Sequence, residues 1–192
     1  LSDPEIRKKA WRSRVESPAM GSHPNAGHYA LVALEQSGVL HTLVTQNIDG
    51  LHQLAGNAIE RVIEIHGTMR FVRCMSCIYR VPMEEVMERL NAGEADPDCP
   101  ACGGILKSAT ISFGQNLVAE DLARAERAAQ ECDLLLAVGS TLSVYPVAGL
   151  VPLAKQSGAK IVIVNGEPTA MDSLADAVLC GGIGDLLPSL IM

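Results

Sequence analysis

Four short apolar runs punctuate the chain: Leu40–Thr45, Leu134–Val138, Ile161–Val164 and Ala177–Cys180. Each is near-continuous rather than alternating, the pattern of strands buried on both faces of a parallel sheet. Helical patterns flank them. Pro24 to Gln36 opens on a proline, sets Leu31 and Leu34 on one face and stops at Gly38; Ala119 to Gln130 and Pro146 to Gln156 follow. Asp185 to Ile191 closes the chain as a helix that Pro188 is expected to break. Strands alternating with helices predict an α/β fold with a doubly wound parallel sheet. Between Phe71 and Gly104 the pattern changes to a polar stretch, Met83 to Asp98, with at most one amphipathic helix. The segment 71–104 therefore predicts a separate module inserted in the α/β domain.

That segment carries four of the six cysteines, in two pairs: Cys74-Met75-Ser76-Cys77 and Cys99-Pro100-Ala101-Cys102, with 21 residues between them. Two such knuckles supply the four thiolates of a closed structural zinc site, which leaves no open position for catalysis. A redox pair or unrelated buried cysteines are the competing readings. Gly103-Gly104 allows the tight turn that a knuckle needs. Cys132 and Cys180 read as small core residues. Paired thiols without a secretion signal predict a reducing, cytoplasmic setting. The 192 residues are 48% hydrophobic and 19% charged, enough for one domain plus a small module, and no run is long enough to span a membrane. A net charge of −7 argues against nucleic acid and suits a basic, lysine-bearing partner; Arg70, Arg73 and Arg80 beside the cysteines are thin support for nucleic acid.

In open α/β sheets ligands bind beyond the carboxyl ends of the strands, so the residues following each run matter most. They are Gln46-Asn47-Ile48-Asp49-Gly50, Gly139-Ser140-Thr141, Asn165-Gly166-Glu167 and Gly181-Gly182-Ile183-Gly184. Any one of these reads equally well as a turn; four polar ends of four point to a ligand. Gly139-Ser140-Thr141 suits phosphate at a helix start, and Glu167 suits ribose hydroxyls. No Gly-x-Gly-x-x-Gly follows any strand, so the dehydrogenase fingerprint is absent. His66, after the run Val62–Ile65, is a candidate general base, with strand capping as the bland alternative. His28 and His52 read as structural, and His23 and His41 carry no signal.

Taken together, Thr45 to His52, Glu64-Ile65-His66-Gly67, the cysteine pairs, Ile111-Ser112-Phe113-Gly114-Gln115, Val138 to Pro146 and Val164-Asn165-Gly166-Glu167 resemble the sirtuin family in order and spacing, from about Pro24 to the end. The resemblance implies an NAD-dependent protein lysine deacylase, an acyl transferase with a Rossmann-like domain (23–70 and 105–192), a zinc module (71–104) and a remnant of a helical module (1–22). It further implies that Gln46, Asn47 and Asp49 surround the nicotinamide ribose, with His66 among the cofactor contacts. Gly139, Ser140, Thr141, Asn165, Gly166, Glu167 and Ile183 would line the phosphates and adenosine. Phe113, Gly114, Leu142, Val144 and Tyr145 would hold an acyl-lysine peptide as an added strand. In the implied mechanism the acyl oxygen displaces nicotinamide, His66 acts as general base on a ribose hydroxyl, and Asn47 positions water. Free lysine, nicotinamide and O-acyl-ADP-ribose are the products.

The sequence departs from the family in lacking its opening strand, Gly-Ala-Gly-x-Ser loop and Ile-Pro-x-Phe-Arg segment, and it starts at Leu1. This predicts part of a longer protein, and weak NAD binding with little turnover for the 192 residues alone. Gln115 stands where many members have Glu, and Trp11-Arg12-Ser13-Arg14 supplies the arginine but not the tyrosine of members that prefer acidic acyl groups. Trp11 and Arg14 otherwise read as a helix packed on the core with a solvated face. Two further readings remain: mono-ADP-ribosyl transfer at the same NAD site, and a catalytically weak zinc-stapled binding fragment.

Overall fold

The computed structural model describes residues 3–112 and 114–191. They group into two compact units: Leu1–His23, Gln46–Gly50 and His66–Gln115 in the first, and Pro24–Thr45, Leu51–Ile65 and Asn116–Met192 in the second.

In the first unit, helix α1 (Pro4–Val15) starts where Asp3 caps it, its carboxylate accepting from the Glu5 amide, with Pro4 in the first turn. Strand β3 (Gly67–Cys74) is the middle of a three-stranded antiparallel sheet, between β4 (Arg80–Pro82) and β5 (Leu106–Thr110). Helix α4 (Met83–Asn91) lays Met83 and Val86 on this sheet, where Val72, Cys74, Cys99 and Leu106 complete a small core. Trp11 is the α1 contribution to that core and is 5% exposed. Arg7 fastens α1 to the segment after α4 through a two-pronged pair with Asp96, closing to 2.6 Å. Arg14 is half-buried, and its guanidinium reaches Met69 Sδ at 3.9 Å.

The second unit holds the parallel strands in two hydrogen-bonded groups. Strand β1 (Leu43–Thr45) pairs with β2 (Val62–Glu64), and β6 (Leu134–Val138), β7 (Lys160–Asn165) and β8 (Ala177–Cys180) follow in that order. Helices α5 (Ala119–Glu131) and α6 (Leu150–Gln156) cover them, and one core joins Ile63 and Ile65 to Ala125, Ala129, Val151, Ile161 and Ile163. Helix α2 (Ala26–Gln36), capped by Asn25, lies beside the short α3 (Leu51–Ala55) and approaches α7 (Ile183–Ile191) at Gly27, where a Cβ would lie 3.3 Å from Ile183.

Three expectations need correction, the first being Cys180, which is exposed at the end of the edge strand β8 and not in the core. Of the strands in the apolar runs, β1 and β7 are largely buried; β6 and β8 are half-buried to exposed, with Leu134 at 53%. The reason is position in the sheet: among the described strands β6 and β8 each pair with β7 alone, so they are its edges. Pro188 does not break the last helix either. It sits inside a continuous α7, at the cost of one backbone hydrogen bond, because Leu187 beside it is buried and anchors the helix.

Candidate active site and candidate metal centre

His66 occupies the corner between β2 and β3 and is held at both its backbone and its ring. Its carbonyl accepts from the Ile111 amide (2.8 Å), and its ring Nδ1 meets the Gln46 carbonyl oxygen at 3.1 Å. A carbonyl only accepts, so Nδ1 carries the proton and Nε2 keeps the lone pair of a base. The corner depends on Gly67, whose φ of +72° is left-handed and where a Cβ would run into the Ala109 carbonyl oxygen.

The loop Gln46–Gly50 is tied to β3 next to this corner. The Met69 amide donates to the Ile48 carbonyl (2.8 Å), and Arg70 Nε donates to the Asp49 carbonyl (2.6 Å). Gly50 turns at φ +69°, packed so closely that a Cβ would lie 2.8 Å from Arg70 Cγ. Gln46 and Asp49 are half-buried and Asn47 is exposed. Sequence reasoning assigned Arg70 no part in this loop. Its signal was an arginine four residues after His66, preceded in the sequence by Thr68-Met69, which the structure buries.

The second unit gathers the other strand-end residues on one edge. Val138 pairs with Val164 and Asn165 with Cys180, so the parallel strands end level. The Gly139 amide donates to the Val164 carbonyl (2.9 Å) and the Gly181 amide to that of Asn165 (3.1 Å). Gly139 has φ +62°, and a Cβ there would stand 2.6 Å from Ile183 Cδ1, so only glycine keeps the backbone and Ile183 in contact. Ser140 Oγ accepts from the Leu142 amide, Thr141 and Ser143 hydroxyls bond each other at 2.8 Å, and Asn165 Nδ2 braces the Gly166-Glu167 turn by donating to the Glu167 carbonyl (2.7 Å). Thr141, Gly166 and Glu167 are exposed. An edge of glycine backbone, hydroxyls and one carboxylate, leading into the first turn of α7, fits the phosphates and ribose of a dinucleotide.

The expected peptide-binding residues divide. Val144 and Tyr145 are exposed, at 41% and 68%. Leu142 is buried in the core and takes a left-handed φ of +54°, which is unusual for leucine. Gly114 lies in a turn closed by the Gln115 amide on the Ser112 carbonyl (2.9 Å), and Phe113 falls outside the described residues. His28 has the structural place expected of it: its Nδ1 meets the Asn25 side chain at 2.9 Å, and its ring packs on His52, centroids 4.9 Å apart.

Cys74, Cys77, Cys99 and Cys102 converge, with all four Sγ atoms within 4.8 Å of one another. Three of the separations are 3.5, 3.6 and 3.7 Å. Four thiolates about 2.3 Å from a tetrahedral zinc stand roughly 3.8 Å apart, so the cluster fits a closed zinc site. Gly104 makes the convergence possible, since a Cβ there would lie 2.8 Å from Ser76 Oγ and 3.0 Å from Cys74 Sγ. The thiols need a cation. The Ser76 amide draws Cys74 down to about 6, whereas for Cys102 the Gly104 amide is outweighed by the Cys77 and Cys74 sulfurs, which push it up to about 12.

These two centres and the strand-end edge define a dinucleotide-binding α/β protein with a thiolate metal staple, and comparison with known proteins specifies it. The model of the Sir2 family matches residues 1–146. The Streptomyces coelicolor protein named NAD-dependent protein deacetylase 2 is 47% identical over 191 residues, spanning 100% of this chain and 79% of that protein. A Rhodopseudomonas palustris NAD-dependent protein deacetylase is 42% identical over 185 residues, covering 95% and 73%. A solved structure of Sir2 with a p53 peptide and NAD+ superimposes with a TM-score of 0.91 at 31% identity, covering 97% of this chain and 77% of that one. The chain belongs to the Sir2 family.

Proposed function

We propose that this protein is an NAD-dependent protein lysine deacylase of the cytoplasm. The observation that carries the reading is His66, whose ring is fixed through Nδ1 on the Gln46 carbonyl so that Nε2 is presented as the base. The relatives named as deacetylases, and the Sir2 structure with peptide and NAD+, support the substrate pair. The cytoplasmic assignment rests on thiols that must stay reduced to hold a metal.

NAD supplies the ribose carbon from which nicotinamide leaves and the ribose hydroxyl that takes over the acyl group. Gln46, Asn47 and Asp49 bind the nicotinamide ribose, and the loop under them is stiffened by Met69 and Arg70. Gly139, Ser140, Thr141, Asn165, Gly166, Glu167 and Ile183 take the phosphates and adenosine. His66 Nε2 accepts the hydroxyl proton, and the Gln46 carbonyl stabilises the resulting imidazolium by accepting from Nδ1. Asn47, exposed at the loop tip, orients water. Phe113, Gly114, Leu142, Val144 and Tyr145 hold the peptide main chain, with Val144 and Tyr145 exposed and Leu142 buried in the core of its own unit. The cysteines hold zinc for structure alone, because four protein ligands leave no site for a substrate.

The test is nicotinamide release with NAD and an acetyl-lysine peptide. Release should require both substrates and fall about 10²- to 10⁴-fold in His66→Ala. ADP-ribosylated protein with the acetyl group still in place, or a His66→Ala variant with full activity, would overturn the proposal.

A further inference from the structure

The antiparallel sheet of the first unit carries three cations in a row. Arg73 is directly opposite Arg80 on β4 and directly opposite Lys107 on β5, so all three project from one face. With strands about 4.8 Å apart the row is roughly 10 Å long. Like charges set opposite one another weaken a sheet. Yet no ion pair among the described residues involves any of the three, whereas Arg7, Arg89 and Lys155 each reach a carboxylate within 2.8 Å. In a chain with 22 acidic and 15 basic residues, a row of cations without acids is not what chance composition supplies.

Both ends of the row are oriented. Arg80 lies over the Phe71 ring, 4.1 Å from its centroid, on the same face. Lys107 Nζ donates to Gln115 Oε1 (2.9 Å), a neutral amide oxygen that also accepts from the Ser112 amide (2.9 Å). The positive charge of Lys107 thus stays uncancelled, and burial together with Arg73 lowers its pKa. Gln115 closes the turn that holds Gly114, so the row ends beside a segment assigned above to the substrate peptide.

We propose that Arg80, Arg73 and Lys107 form a docking stripe for an acidic segment of the protein substrate, adjoining its acyl-lysine. The proposal rests on the deacylase reading. An extended peptide places same-side residues about 6.8 Å apart, so two carboxylates at alternate positions both fall within the roughly 10 Å of the stripe. A protein segment fits better than a nucleic acid, because a short acidic stretch engages the stripe while a long polyanion meets a chain of net charge −7.

The experiment compares acetyl-lysine peptides that carry two Glu, two Gln or two Lys at alternate positions on either side of the modified lysine. The Glu peptide should show a KM about 3- to 10-fold below the Gln peptide at equal kcat, and the difference should shrink with salt. In an Arg73→Gln, Arg80→Gln double variant, which leaves the Lys107–Gln115 bond beside Gly114 in place, it should vanish while the Gln peptide keeps its KM. Equal KM values for the Glu and Gln peptides, or a preference that survives in the double variant, would refute the stripe. A second readout, fluorescence anisotropy of a labelled, non-acetylated Glu-rich peptide, needs no turnover. Loss of its binding in the double variant supports the stripe even if no peptide is deacetylated, which would count against the deacylase reading alone. Stripe-dependent binding of an oligonucleotide in preference to that peptide would overturn the choice of occupant.

Discussion

His66 and Arg70 lie four residues apart, and each fixes a carbonyl of the loop Gln46–Gly50: the ring bonds Gln46 and the guanidinium bonds Asp49. Arg70 has little freedom left, since Nη1 also reaches the Met20 carbonyl at 3.4 Å, and Nη2 is buried without a partner among the described residues. A hydrogen bond to a charged donor contributes about 1.5–3 kcal/mol. Arg70→Met should therefore raise the KM for NAD by about 10- to 100-fold, read in steady-state kinetics. His66→Ala should instead act on kcat. That contrast separates a positioning residue from a catalytic one, and equal effects on both parameters would erase it. Gly67 is constrained in a different way, by the Ala109 carbonyl beside it and a positive φ. Gly67→Ala should cost about 2 kcal/mol or more in chemical denaturation, because β3 and β5 must part to admit the methyl group.

At the scale of elements, Asp176 joins three of them. Its carboxylate accepts from Lys155 at the end of α6 (2.8 Å), from Lys160 (3.2 Å) and from the Ile161 amide at the start of β7 (2.9 Å), and it stands just before β8. The Lys155 bond, then the Ile161 amide and Lys160, hold this carboxyl far below the ordinary carboxylate range. A depressed folded-state pKa stabilises the protein above the unfolded value, near 3.9, and that contribution is lost as pH falls further toward the folded value. Asp176→Asn should lower the melting temperature at pH 7. The gap to wild type should narrow as the pH drops below about 4, and a gap that widened there would contradict the bonding seen. The helices were legible from their starts: the patterns opening at Pro24 and Ala119 are the ones the structure shows as α2 and α5, although the cap of α2 is Asn25. The edges of β6 and β8 were not, because an apolar run states what a strand can bury and not which neighbours it finds.

For the whole molecule, the expected outcome is that the first unit depends on its metal staple more than on its core. Among the described residues that core is Trp11, Val72, Met83, Val86 and Leu106 with two cysteines, flanked by partly buried Met20, Tyr79, Val81, Met87 and Leu90, and a core this small gains much from a metal link. Chelation should release about one zinc per chain and abolish the circular-dichroism and near-ultraviolet signals of Trp11. Cys99→Ser should do the same without chelator. Retention of the folded Trp11 signal in the metal-free protein would show that the core suffices. No helix among the described residues is long and apolar enough to cross a membrane.

The sequence by itself determined the chemistry available: two cysteine pairs for a metal, glycines after each strand with hydroxyls, amides and carboxylates among them for a dinucleotide, and a histidine after a short apolar run. These are local signals, because metal ligation, turn geometry and helix starts depend on residues a few positions apart. Only the tertiary structure decided how they are used. The tautomer of His66 is set by a carbonyl twenty residues away, the burial of Leu142 by the core of its unit, and the place of Trp11 by a metal module far along the chain. The row Arg80–Arg73–Lys107 exists only in strand register, which the backbone fixes when β3 pairs with β4 and β5. No spacing along a single strand can disclose it, since each of its charges comes from a different one.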